Sequence, residues 1–197
     1  MALVFDESYF RGDRLDGYTD YGRAMWGGTW TFGGFAEETL DRAASKGVSL
    51  SNRSVLVVGS GFGFMVEELL ARGVNAWGLD VSEYAISQTP AAIVGRNLLG
   101  DARLRSALNA ARSAAGLKGN ARFDLILTED VLPCMSSDAE ALALAVELRR
   151  HAIRVGHRVS TFPSLADVGY LWHTLAEWRA LLGSGDWLWD YHDWTEG

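Results

Sequence analysis

Val55–Asp80, VLVVGSGFGFMVEELLARGVNAWGLD, is the stretch whose reading decides the fold. Ser54–Val58 is a short apolar, β-branched run that ends in glycine, as a strand buried on both faces does. In Phe64–Arg72, Val66, Leu69 and Leu70 recur at i, i+3 and i+4 with Glu67 and Glu68 turned outward, the pattern of a helix packed on a sheet. Asn75–Leu79 reads as a second strand. Gly59, Gly61 and Gly63 fall in the turn between the first strand and the helix, where glycine lets the backbone bend sharply and approach a ligand closely. Asp80 follows the second strand, where a carboxylate can accept both hydroxyl protons of a ribose. A lone GxGxG is a weak signal, and a tight turn with a surface aspartate would also produce it. Strand, glycine turn, helix, strand and terminal Asp together point to a nucleoside site.

The dinucleotide fingerprint places its third Gly or Ala at the position of Phe64. The phenyl ring there argues against a nicotinamide-dependent oxidoreductase and for a cofactor without a pyrophosphate.

Outward from this unit, strands and helices alternate. Residues 34–46 read as a helix, Ser82 as the N-cap of a helix starting at Glu83, and Asn97–Leu99 as a third strand. Leu104–Ala115 is helical and Phe123–Thr128 a buried strand. Asp138–Val155 is expected to be one long helix carrying Leu142, Leu144, Val146 and Leu148, followed by a fifth strand at Arg158–Phe162 and a helix at Thr174–Leu182. The alternation implies right-handed crossovers and an α/β, doubly wound, mostly parallel, Rossmann-like sheet. No linker divides the chain, so residues 1–197 read as a single domain. An aromatic, Gly-rich segment (1–53) would cover the site, 54–162 form the cofactor-binding core, and 163–197 form an aromatic, acidic cap.

Composition narrows the function. The 197 residues carry a formal charge of −7, and the segment 159–197 holds six acids against Arg179 alone. Such a balance offers no general attraction for a phosphate backbone, so nucleic acid is disfavoured as a partner. Cys134 is the one cysteine, which rules out an intrachain disulfide and a Cys-rich zinc site; no metal site is expected. MALVFDESYF has acids where a signal peptide carries lysines, and no run approaches the roughly 18 apolar residues of a membrane span. The chain is expected to be soluble and cytoplasmic.

Over most of its length the chain resembles the class I S-adenosylmethionine-dependent methyltransferases, small-molecule ones in particular. The glycine loop is similar to their first motif, Gly78–Ile86 (GLDVSEYAI) to their second-strand acidic motif, and Gly100-Asp101-Ala102 to the segment after their third strand. Thr128–Ser164 resembles their stretch from strand four through strand five, and Tyr9-Phe10 with Gly17-Tyr18 and Tyr21 resembles their lead-in. The resemblance implies S-adenosyl-L-methionine as cofactor. Gly59, Gly61 and Gly63 would form its glycine loop, with Gly59 and Gly61 facing the methionine part. Asp80 would hold the ribose, Val81 would lie against the adenine, and Asp101 would take the adenine amino group beside Ala102. Tyr18 and Tyr21 would close over the cofactor. Glu129, after strand four, would stand where cofactor and a small or medium-sized acceptor meet. The implied reaction is a proximity-driven SN2 methyl transfer. One departure stands out: where the family often has an acidic residue two positions before the first glycine, this chain has Val57. That implies another group for the methionine ammonium, and it keeps open a non-catalytic S-adenosylmethionine-binding or scaffold protein.

Few residues are candidates for acid–base chemistry. Glu129 and His173 are the catalytic candidates, His173 because it stands beside Tyr170 and Trp172 where substrate loops converge. Asp130 shares the sheet edge with Glu129. Cys134 after Pro133 could be a nucleophile, although a half-buried structural thiol suits its surroundings better. His151 and His157, among Arg149, Arg150, Arg154 and Arg158, read as the solvated end of the long helix. His192 carries no specific signal. The family's sheet usually finishes with two further strands, the last antiparallel, yet only Trp187–Tyr191 remains to serve here. A shortened sheet follows, with Trp178, Trp187, Trp189 and Trp194 covering its edge or forming a homodimer contact.

Overall fold

The computed structural model describes residues 4–14, 17–18, 21–25, 28 and 30–190. Expectations for Tyr191, His192 and Trp194 lie outside these residues. A helix α1 (Glu7–Arg11) and a two-stranded ribbon, β1 (Ala24–Met25) with β2 (Trp30–Thr31), precede α2 (Phe32–Ser45). Then follow β3 (Ser54–Val58), α3 (Phe64–Ala71), β4 (Asn75–Asp80), α4 (Glu83–Ser87), β5 (Asn97–Leu99) and α5 (Arg105–Ala114). The order continues with β6 (Leu125–Glu129), α6 (Asp138–His151), β7 (Val155–Val159), α7 (Leu175–Leu182) and β8 (Trp187–Asp190). Strands β3 to β8 form one parallel sheet in the order β5-β4-β3-β6-β7-β8. The order reverses between β3 and β6, the switch point where open α/β sheets bind ligands. The doubly wound sheet is therefore present, and it is short at its C-terminal end among the described residues.

The alternation along β3 explains the two layers. Val55 and Val57 pack with Phe35, Ala36, Met65 and Leu69 of α2 and α3, while Leu56 and Val58 pack with Leu108, Leu144 and Leu148 of α5 and α6. Ser82 caps α4 as expected, its Oγ accepting from the Ala85 amide at 3.0 Å. Thr174 and Glu177 form a reciprocal capping box at the start of α7. Among the described residues no helix is long and apolar enough to cross a membrane.

The fifth strand departs from expectation. The long helix stops at His151, Ala152 is extended and bridges Phe123, and the strand is Val155–Val159 rather than Arg158–Phe162. The periodicity misled because His157 and Arg158 are polar, yet both are fully buried in the strand. Each takes buried hydrogen-bond partners there, as a buried polar group needs. His157 Nδ1 lies 2.9 Å from Thr128 Oγ1 and its Nε2 3.1 Å from Asp186. The Arg158 guanidinium donates to Glu129 at 2.9 and 3.1 Å, to Glu38 at 3.0 Å and to the Phe35 carbonyl at 3.1 Å. His151 is buried as well. The solvated helix end is thus overturned for His151, His157 and Arg158.

The tryptophans are also placed differently. Trp178 and Trp189 are fully buried on opposite faces of the sheet, so neither is available to a subunit contact. Trp189 is core because β8 extends the sheet, parallel to β7, instead of leaving an edge to be covered.

Replacing Arg158 by Met should take the guanidinium from the buried Glu129, leave Glu38 paired to Arg42, and cost about 3–5 kcal/mol of unfolding free energy in urea denaturation. Adding Glu38→Gln and Glu129→Gln should restore most of it; a solvated helix-end arginine would show almost no loss.

Candidate active site

The turn after β3 is shaped by what crowds it. The Gly59 amide donates to the Leu79 carbonyl at 2.9 Å, and φ is +73° at Gly59 and +54° at Gly61, the left-handed region that favours glycine. A Cβ on Gly59 would collide with Val131, and one on Gly61 with the Tyr21 hydroxyl. Asn97, the first residue of β5, pins the turn from beneath. Ser60 Oγ donates to its Oδ1 at 2.6 Å, and its Nδ2 donates to the Gly61 carbonyl at 3.0 Å. The sequence reading missed this residue; its one signal is a polar side chain opening an otherwise apolar strand.

A cavity of about 330 Å³ opens at the carboxyl ends of β3, β4 and β6. Gly59, Gly61, Asp80, Val81, Asp101, Ala102, Glu129, Tyr18 and Tyr21 all line it. Gly63 does not; it precedes α3 and packs against Ile93 and Asn97. His173 is also outside the lining. Its Nε2 lies 2.7 Å from Asp138 and its ring meets Trp178 edge-on, so it ties the start of α7 to the start of α6.

The Asp80 carboxylate accepts the Gly61 amide at 2.7 Å and the Ser82 amide at 2.8 Å. Burial pushes its pKa up, and these backbone donors oppose the rise. Asp101 is gripped by Arg103, whose Nε and Nη2 reach its oxygens at 2.8–3.1 Å and whose Nη1 reaches Glu140 at 2.7 Å. Hydrogen bonding to Arg103 holds Asp101 below the usual carboxylate range. Glu129 rests on the buried Arg158.

The N-terminal segment supplies an aromatic wall. Tyr21 packs within 5.0 Å of the rings of Phe10, Tyr18 and Phe62, and the hydroxyls of Tyr9 and Tyr170 meet at 2.9 Å. Ser82 Oγ donates to the Phe5 carbonyl, holding this segment to the start of α4.

Beyond β6, Asp130 has φ +55° and its carboxylate accepts the Ser160 amide at 2.8 Å and the Ser160 hydroxyl at 2.7 Å. Burial pushes its pKa to about 6, with the Ser160 bonds and Arg158 opposing and Asp190 adding to the rise. Cys134 lines the cavity, but its thiol donates to the Asp130 carbonyl at 3.2 Å. Burial and the charges of Asp130 and Asp80 push that thiol well up, against a thiolate nucleophile.

Because the folded state raises Asp130 from about 4 to about 6, ionising it costs stability above pH 6 and nothing below pH 4. Asp130→Asn should therefore raise stability by roughly 1–2 kcal/mol at pH 8. The gain should fade in thermal melts as the pH drops below about 5.

No family model and no curated protein sequence matches the chain. Solved structures do match. Magnesium protoporphyrin IX methyltransferase (ChlM) from Synechocystis PCC 6803, with bound SAH, has a TM-score of 0.54 at 17% identity, over 77% of this chain and 71% of that one. CalS10 from Micromonospora echinaspora, an amino pentose methyltransferase with SAM bound, scores 0.53 at 18% identity, over 69% and 54%. DesVI from Streptomyces venezuelae scores 0.52 at 18% identity, over 68% and 52%. The chain spans about half the length of CalS10 and DesVI. Its fold is that of the class I S-adenosylmethionine-dependent methyltransferases.

Proposed function

We propose that this chain is an S-adenosylmethionine-dependent methyltransferase acting on a small or medium-sized acceptor. The observation that carries the reading is the convergence of the Gly59–Gly61 turn, Asp80 and Glu129 on one cavity at the carboxyl edge of the sheet. ChlM and CalS10, crystallised with SAH and SAM, support it. So does the chemistry of the lining. Each Asp80 oxygen uses one lone pair on a backbone amide and keeps another for a ribose hydroxyl. Gly59 and Gly61 present backbone without side chains, and half-exposed Val81 offers an apolar face for a base. Asp101, oriented by Arg103, keeps acceptor capacity for an exocyclic amine.

Val57 is buried in the apolar layer between β3 and helices α2 and α3, so it offers nothing to the methionine ammonium. In this reading Glu129 takes that part: its backbone carbonyl is the neighbour a Gly59 Cβ would meet at 2.9 Å, and Arg158 fixes its carboxylate. When bound, S-adenosylmethionine supplies an electrophilic methyl group on a sulfonium. The protein's part is then to orient the acceptor in line, exclude water with the Tyr9, Phe10, Tyr18 and Tyr21 wall, and hold counter-charge near the transferring centre. A second reading, a protein that binds the cofactor without turnover, draws on Val57 and on the placement of His173 outside the cavity.

SAH at a hundredfold excess over its Kd should stabilise the fold by about 2.7 kcal/mol, a Tm rise of roughly 5–10 °C, whereas NAD should leave Tm unchanged. Asp80→Ala should abolish the rise. No rise with either SAH or SAM at millimolar concentration sinks the cofactor assignment, and a rise retained in Asp80→Ala sinks the ribose assignment. SAH release from SAM over a panel of acceptors separates the enzyme from the scaffold.

A further inference from the structure

Among the described residues the cavity is lined by five carboxylates, Asp80, Asp101, Glu129, Asp130 and Glu140, against one lining cation, Arg103. Arg103 is spent on Asp101 and Glu140, and Arg158 lies behind Glu129. Asp80 is oriented by the glycine turn and by α4. Asp130 is different. Among the described residues no ion pair holds it, and nothing in the cofactor reading uses it. Its backbone sits in the left-handed region, and both of its oxygens are aimed by Ser160 at the exit of β7. A carboxylate kept unpaired in a cavity is costly unless a ligand completes it. The cavity it lines also carries the rings of Tyr9, Phe10, Tyr18 and Tyr21, whose faces attract positive charge.

Resting on the methyltransferase reading, we propose that the acceptor is an amine and that Asp130 is the carboxylate that receives it. The neutral amine nitrogen forms the new N–C bond while the C–S bond breaks and its electron pair stays on sulfur. Positive charge thus moves from sulfur to nitrogen; an acceptor that arrives as its ammonium first gives up one proton to solvent, which frees the lone pair for the transfer. An N–H of the acceptor donates to Asp130, which orients the lone pair and stabilises the charge as it arrives. A hydroxyl acceptor would need the opposite field. Burial pushes the phenols of Tyr9 and Tyr18 well above the ordinary tyrosine range, and for Tyr18 the Asp130 charge adds to the rise. A phenol or alcohol placed among them is held protonated, and Arg103, the lining cation among the described residues, is committed to Asp101 and Glu140.

The test compares benzylamine with the near-isosteric benzyl alcohol by calorimetry, on the protein with and without saturating SAH. Benzylamine should bind about tenfold more tightly at pH 8. The preference should grow as pH rises through about 6, where Asp130 ionises facing Ser160 and Arg158 of the β7 side, Asp190 of β8, Tyr18 and Cys134. Asp130→Asn should erase the preference and retain the SAH-induced Tm rise. Ser160→Ala, which removes one of the bonds favouring the anion, should keep the preference and move its pH midpoint upward. Equal or tighter binding of benzyl alcohol overturns the proposal, as does a preference that survives in Asp130→Asn, or a midpoint unmoved in Ser160→Ala. Failure of SAH to bind counts against the cofactor reading alone, since the amine preference is read separately on the free protein.

Discussion

A guanidinium buried in a β-strand has to be matched where it stands, and Arg158 is matched from three directions. Glu129 reaches it from the end of β6, Glu38 and the Phe35 carbonyl from α2, and the rings of Phe35 and Trp189 flank it at 4.5 and 5.6 Å. These contacts join α2, β6, β7 and the edge strand β8 at a point beside the cavity. Such a cluster is weak evidence for extra stability, because hydrophobic replacements of similar volume can do as well. Its value here is placement: it fixes the Glu129 carboxylate and holds α2 in register with the sheet. Arg42 extends the cluster by pairing with Glu38 at 2.8 Å.

The opposite side of the site relies on neutral polar groups. Asn97 reads both the hydroxyl of Ser60 and the carbonyl of Gly61, so the glycine turn takes its shape from a strand two positions away in the sheet. Asp80 closes the same turn by accepting the Gly61 amide. The turn is therefore preformed, with its backbone donors and acceptors mostly committed. A ligand entering beside it meets a turn that needs little rearrangement.

The carboxylates of the cavity fall into two groups by how they are held. The carboxylates at Asp101, Glu140 and Glu129 are each locked to an arginine, which makes them rigid acceptors with muted charge. Asp80 and Asp130 keep theirs, held by amides and a hydroxyl. Burial raises the pKa of both.

The local signals in the chain determined a good deal: the strand–turn–helix–strand unit at 54–80, the parallel alternation, the cap at Ser82, and the carboxylates that reach the strand ends. These follow from short-range rules, since apolar periodicity, glycine and capping side chains act within a turn or two. Tertiary structure alone decided where the fifth strand begins, because a run containing His157 and Arg158 becomes a buried strand only when Thr128, Asp186, Glu129 and Glu38 arrive from elsewhere to satisfy it. It also decided that Trp178 and Trp189 are core, that His173 braces two helices away from the cavity, and that Asn97 shapes the glycine turn. The physical reason is shared: polar satisfaction and burial are properties of partners distant in sequence, and no local pattern carries them.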